Sequence, residues 1–251
     1  VAEEGDQLVK HANQICLGVA KNELKCDTET GSKLRNWWRI IVNNVPLHDR
    51  HIFLEHLEPS DKSRLKIDRQ QEVIEYLQAN PAQSYAFFGP AGTSKTTFGV
   101  ALYENAVWES VVRFTGVHVP IFRMSAKYLL DEYVVREMDR QNAPDPAVSR
   151  PLILRITKRM NGTVPDDQTP RLFLEEIDKV KYTEFKTSSL FEVIDALYEA
   201  NGQFVFNSNL TLEEFAKQFY RPSDAEALVR RIGEMGKVYN FYEEGWTKED
   251  A

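Results

Sequence analysis

The chain has 251 residues, enough for one substantial core and a small appendage. With 42% hydrophobic and 27% charged residues it has the composition of a soluble globular protein. No apolar run could span a bilayer and no basic-then-apolar leader is present, so a cytoplasmic protein without a membrane partner is expected. A net charge of −7 argues against binding nucleic acid through bulk electrostatics, and two cysteines, Cys16 and Cys26, cannot build a disulfide framework.

Residues 6–22 put Leu8, Ala12, Ile15, Cys16 and Val19 on one helical face. Residues 33–42, with Trp37, Trp38, Ile40 and Ile41, predict a second helix, stopped by Asn43, Asn44 and Pro46. A boundary near residue 58 separates this small N-terminal helical segment, 1–58, from a larger unit, 59–251. The alternative is that 46–59 packs on the larger unit. His48, His51 and His56 cluster, but no cysteine or paired acid stands at ligand spacing, which predicts a solvated polar segment. Asp61 or Ser63 is a candidate start for the next helix, whose main part, 70–77, carries Val73, Ile74 and Leu77 on one face. Asn80-Pro81 ends it.

Residues 84–97 hold the most informative pattern in the chain. The apolar run Tyr85, Ala86, Phe87, Phe88 predicts a buried parallel strand. It breaks into Gly89-Pro90-Ala91-Gly92-Thr93-Ser94, and Lys95-Thr96-Thr97 opens a helix over about 95–113. Strand, glycine-containing turn, Lys-Thr and helix in this order make a phosphate-binding P-loop. Its amides and the positive end of the helix dipole converge where phosphate would sit. Lys95 would reach the β- and γ-phosphates of ATP, and the Thr96 hydroxyl would ligate Mg²⁺. Ser94 departs from the pattern, standing where a glycine is usual before the lysine.

Beyond this helix, 119–124 predicts a second strand and 126 to about 140 a helix. A break at 142–146 and a helix over 152–160 follow. Arg150, Arg155, Lys158 and Arg159 form a basic strip there, which reads more readily as the solvated face of an amphipathic helix than as a DNA contact. Strands are predicted at 171–174, 203–206 and 238–242, and helices at 188–200, 212–219 and 224–235. This alternation implies an α/β fold with a parallel sheet covered on both faces.

The third strand ends in Glu175-Glu176-Ile177-Asp178. Acids at the C-terminal edge of a parallel sheet stand where ligands bind. Glu175 would hold a water on Mg²⁺ and Glu176 would polarise the attacking water, although the first position is more often Asp. The fourth strand ends in Asn207-Ser208-Asn209, where Asn209, with Asn207 as competitor, would face the γ-phosphate. No Asn-Lys-x-Asp element occurs, so ATP is favoured over GTP. In the helix over 224–235, Arg230 and Arg231 flank an apolar face, where a guanidinium could reach a neighbouring subunit's γ-phosphate.

Taken together, residues 89–97, 172–178, 206–210 and 228–235 resemble the AAA+ ATPases of the DnaC/IstB-like branch, which holds helicase loaders and ATPases that assist transposases. The match runs over about 60–242. The resemblance implies a three-layer P-loop fold with sheet order 5-1-4-3-2 and, with few residues after Arg231, no full C-terminal lid. It assigns the sensor role to Asn209 and the arginine-finger role to Arg231. It further implies a head-to-tail homo-oligomer on DNA or on a helicase, with Lys127, Arg136, Arg140 and Arg155 as candidate DNA contacts. The N-terminal segment would recruit the partner, for which Trp37-Trp38 is a candidate surface. Three functions stay open: a DnaC-like helicase loader, which is favoured, an IstB-like transposition helper forming filaments on duplex DNA, and a nucleotide-gated binding module with little hydrolysis.

Overall fold

The computed structural model describes residues 45, 53–113, 121–131, 170–219 and 221–242. The helices predicted over 6–22, 33–42 and 152–160, the Trp37-Trp38 pair, the basic strip, Arg136 and Arg140 lie outside the described residues.

Five parallel strands form one sheet: β1 (Ser84–Phe88), β2 (Ile121–Ser125), β3 (Arg171–Glu175), β4 (Gln203–Ser208) and β5 (Gly236–Asn240), in the order β2-β3-β4-β1-β5. That is the implied 5-1-4-3-2 order. β1 lies inside the sheet between β4 and β5 and is buried on both faces, which is why it reads as an unbroken apolar run. Tyr85 and Phe87 point to one side and Ala86 and Phe88 to the other, dividing the core into two clusters. Burying each of these aromatic side chains contributes roughly 1.5–3 kcal/mol.

The first cluster is covered by α1 (Ile67–Ala79) and α2 (Lys95–Arg113). Tyr85, Phe87, Tyr239 and Phe241 stack along it, with centroids 5.7 Å apart between Phe87 and Tyr239. The 3-10 turn Leu54–His56 also docks here through Leu54, and Val45 is buried in the same cluster. Residues on the N-terminal side of position 58 therefore contribute to the core of the sheet-containing unit. α3 (Glu184–Glu199), α4 (Leu212–Gln218), α5 (Pro222–Met235) and a helical turn over 126–131 cover the second cluster.

Some elements start elsewhere than the pattern suggests. α3 begins at Glu184, ahead of the predicted 188, because the Thr183 hydroxyl caps it by accepting from Lys186 N at 3.3 Å. α5 begins at Pro222, whose missing amide suits the first helical position. α1 starts at Ile67, and neither Asp61 nor Ser63 caps it. β5 spans Gly236–Asn240 instead of 238–242, since its ladder with β1 starts at the pair Ser84 and Gly236.

Candidate functional site

The loop from Gly89 to Ser94 joins β1 to α2 at the C-terminal edge of the sheet. Two of its residues have left-handed backbones, Gly92 at φ 86° and Ser94 at φ 62°. The second explains why glycine is usual at that position: a Cβ is costly in this conformation. The first backbone bond of α2 runs from Phe98 N to Ser94 O at 2.9 Å, leaving the earlier amides directed along the helix axis. The loop is braced by the segment ahead of α1, from which Arg64 N and Ser63 Oγ both donate to Gly92 O, at 2.8 and 3.3 Å. Gln70 in turn holds the bracing segment, donating to Leu65 O at 2.6 Å and accepting from Ser60 N at 2.9 Å.

Lys95 is 6% exposed. Its ammonium donates to Gly89 O at 2.8 Å, to Pro90 O at 2.6 Å and to Thr93 Oγ1 at 3.4 Å. Burial pushes its pKa down to about 8, against the opposing pull of the Asp178 carboxylate. The loop thus holds a desolvated cation curled on its own carbonyls, ready to exchange them for a stronger acceptor.

A cavity of about 540 Å³ opens over this loop. Ala91, Gly92, Thr93, Ser94, Lys95, Thr96 and Thr97 form one wall, Glu176, Asn207 and Asn209 a second, and Leu57, Glu58, Ser60, Lys62 and Ser63 with Gln70 a third. Gly89 and Pro90 lie behind the wall as acceptors for Lys95.

The acidic pair divides. Glu176 has a left-handed backbone (φ 53°) and lines the cavity. Its amide donates to Asn207 Oδ1 at 2.8 Å, and its carboxylate pairs with Lys179. Glu175 is absent from the cavity wall and forms an ion pair with Arg123 of β2. Of the two asparagines, Asn207 uses its side-chain oxygen on Glu176, whereas Asn209 reaches the cavity from just beyond β4. The Asn209 carbonyl is fixed by Tyr242 Oη at 2.6 Å.

Arg231 is not at this cavity. It lies on the flank of α5, paired with Asp195 of α3 at 2.9 Å, with its guanidinium 4.5 Å from the Tyr198 ring centroid. Arg230 is the more exposed of the two. Lys127 is exposed and pairs with Asp131, which also binds Lys186 of α3.

As a magnesium site the donors match only in part. Thr96 faces the cavity, but Glu175, the carboxylate expected to complete the set, is engaged by Arg123. Among the described residues no group of three or more His, Cys, Asp or Glu converges as a metal cluster. The loop itself suits a triphosphate: helix-terminal amides and one buried cation meet in a cavity of ligand size.

Comparison with solved structures identifies the architecture. The crystal structure of the DnaC helicase loader aligns with a TM-score of 0.50 and 17% identity, over 77% of this chain and 98% of that one. The fold is AAA+. DnaA from Aquifex aeolicus bound to AMPPCP aligns with a TM-score of 0.49 at 17% identity, over 78% of this chain. The chain spans 51% of the length of that DnaA structure. DnaI gives a TM-score of 0.47 at 13% identity, over 78% of this chain and 94% of that one. No family model and no curated protein sequence matches. Within this fold, the loop over 89–94 and the cavity stand at the C-terminal edge of the parallel sheet, where open α/β sheets bind ligands.

Sequence reading missed three parts of the site. Residues 57–63 carry no recognisable motif. Gln70 had a legible signal, a polar residue on the apolar face shared with Val73, Ile74 and Leu77. Arg123 had none, because its meeting with Glu175 depends on the register between β2 and β3.

Proposed function

We propose that this chain binds ATP in the P-loop cradle, hydrolyses it, and acts as a DnaC-like loader of a replicative helicase. The nucleotide reading is carried by the convergence of the α2 N-terminus, the buried Lys95 ammonium and the Glu176–Asn207–Asn209 wall on one cavity. A triphosphate would take the place of the Gly89 and Pro90 carbonyls as the partner of Lys95. Glu176 would orient the attacking water once its carboxylate leaves Lys179, and Asn209 would hold that water against the terminal phosphate. Arg231 would complete the site of an adjoining subunit in a head-to-tail assembly on DNA or on the helicase. The loader reading is supported by the likeness in fold to the DnaC helicase loader, nearly the whole of which aligns with this chain.

Phosphate release and co-elution test this reading together. Wild-type protein should release phosphate from ATP and co-elute with the replicative helicase of its own source. The variant Glu176→Gln should bind ATP and release little phosphate. A protein that gives no calorimetric signal with ATP or its analogues would overturn it.

A second reading is a nucleotide-gated binding module with little hydrolysis. The pairing of Glu175 with Arg123 and of Glu176 with Lys179, together with the left-handed Ser94, favours it. Tight ATP binding with no release above the Glu176→Gln background would select it.

A further inference from the structure

Glu175 stands at the end of β3, where an acid is expected to help hold a divalent cation, yet its charge is committed elsewhere. In the parallel ladder Ser125 is opposite Glu175 and Arg123 is opposite Phe173. Arg123 and Glu175 therefore leave the sheet on the same face, the one covered by α2. Arg123 Nη2 bonds Glu175 Oε1, with the arginine side chain 5% exposed and the glutamate 29% exposed. Breaking an ion pair whose guanidinium is this enclosed is costly, so the carboxylate that Arg123 bonds is held in place. The glutamate side chain, one methylene longer than aspartate, lets the carboxylate extend across to the neighbouring strand. The cavity wall agrees with this: it contains Thr96 and Glu176 but not Glu175.

We propose that Arg123 retains Glu175 as its counter-ion and so withdraws it from cation binding, leaving the cradle to grip a triphosphate with little dependence on a divalent ion. The proposal rests on the nucleotide-binding reading. Arg123 acts through Glu175 and is a positioning residue.

The test is a titration of full-length protein with a fluorescent ATP analogue, in excess chelator and in millimolar Mg²⁺. In the wild type, Mg²⁺ should tighten binding by less than about threefold. In Arg123→Met the freed carboxylate should make the Mg²⁺ enhancement about tenfold or more, within the usual range of coupling between two ligands. The double variant Arg123→Met/Glu175→Gln should return to the wild-type response, because the gain acts through that carboxylate. A wild-type enhancement of tenfold or more overturns the proposal, as does a folded Arg123→Met protein that responds like wild type. If Arg123→Met does not fold, Mn²⁺ bound to the wild-type protein–ATP complex is measured by electron paramagnetic resonance. An affinity no tighter than for ATP alone supports the proposal, and a clearly tighter one overturns it. Absence of analogue binding in both conditions removes the nucleotide reading and the proposal with it.

Discussion

At φ 62°, Ser94 holds a backbone shape that costs an L-residue about 1–2 kcal/mol. Ser94→Gly would relieve that strain, while the freedom glycine gains in the unfolded chain takes back about 0.5–1 kcal/mol. A net stabilisation of about 0.5–1 kcal/mol is expected, read as a shifted urea midpoint at unchanged slope. Lys95 supplies a proton-linked prediction. Its folded pKa of about 8 lies below the ordinary 10.5, so the unfolded chain holds the proton more tightly. Confining this charge therefore costs stability below pH 8, and the cost is relieved as pH rises from about 8 toward 10.5. Bound phosphate should restore the proton. Calorimetry near pH 8.5, in buffers of different ionisation enthalpy, should show uptake of up to about one proton with ATP. Lys95→Met should abolish that uptake and weaken binding by about tenfold or more. The lysine was legible from its motif, whereas its curled state was not, since that depends on how closely Gly89 and Pro90 turn back over it.

The helices and strands were most legible where burial is one-sided or complete. β1 stands out because every residue in it is buried, and α2 because its phosphate-loop signature fixes where it starts. Less legible were the ends set by single hydrogen bonds or contacts. α3 gains its first turn from the Thr183 cap, before the apolar pattern begins. β5 begins directly where α5 stops, at Gly236, since α5 and β5 meet with no loop between them. A Cβ at Gly236 would lie 1.9 Å from Ser84 O, in the backbone of β1. Gly236→Ala should therefore destabilise the protein by about 3 kcal/mol, measured by urea denaturation. α4 is held by a capping box in which Thr211 Oγ1 accepts from Glu214 N and Thr211 N donates to the Glu214 carboxylate. Thr211→Ala should cost about 1 kcal/mol. Because Asn209 stands just ahead of this cap, the same change should also lower phosphate release under the hydrolytic reading.

For the molecule as a whole, the motifs alone indicated which residues meet. Lys95, Glu176 and Asn209 come from three elements far apart in the chain and line one cavity. The pairings of Glu175 with Arg123 and of Arg231 with Asp195 were invisible, since each depends on how separate elements are set side by side. Under the trans-finger reading, Arg231→Ala should lower the ATPase rate by about 10³-fold. Mixing it with Lys95→Ala protein should recover activity, because each variant would supply what the other's shared site lacks. Recovery that fails at every mixing ratio would assign Arg231 to the α3–α5 contact alone. The brace on Gly92 has a consequence of its own. The amide hydrogen of Arg64, a residue absent from the cavity wall, is tied to the carbonyl of Gly92. Its exchange with heavy water should therefore act as a clock for the cradle, slowing when an occupant stiffens the turn, and it can be read without altering any residue of the cavity wall.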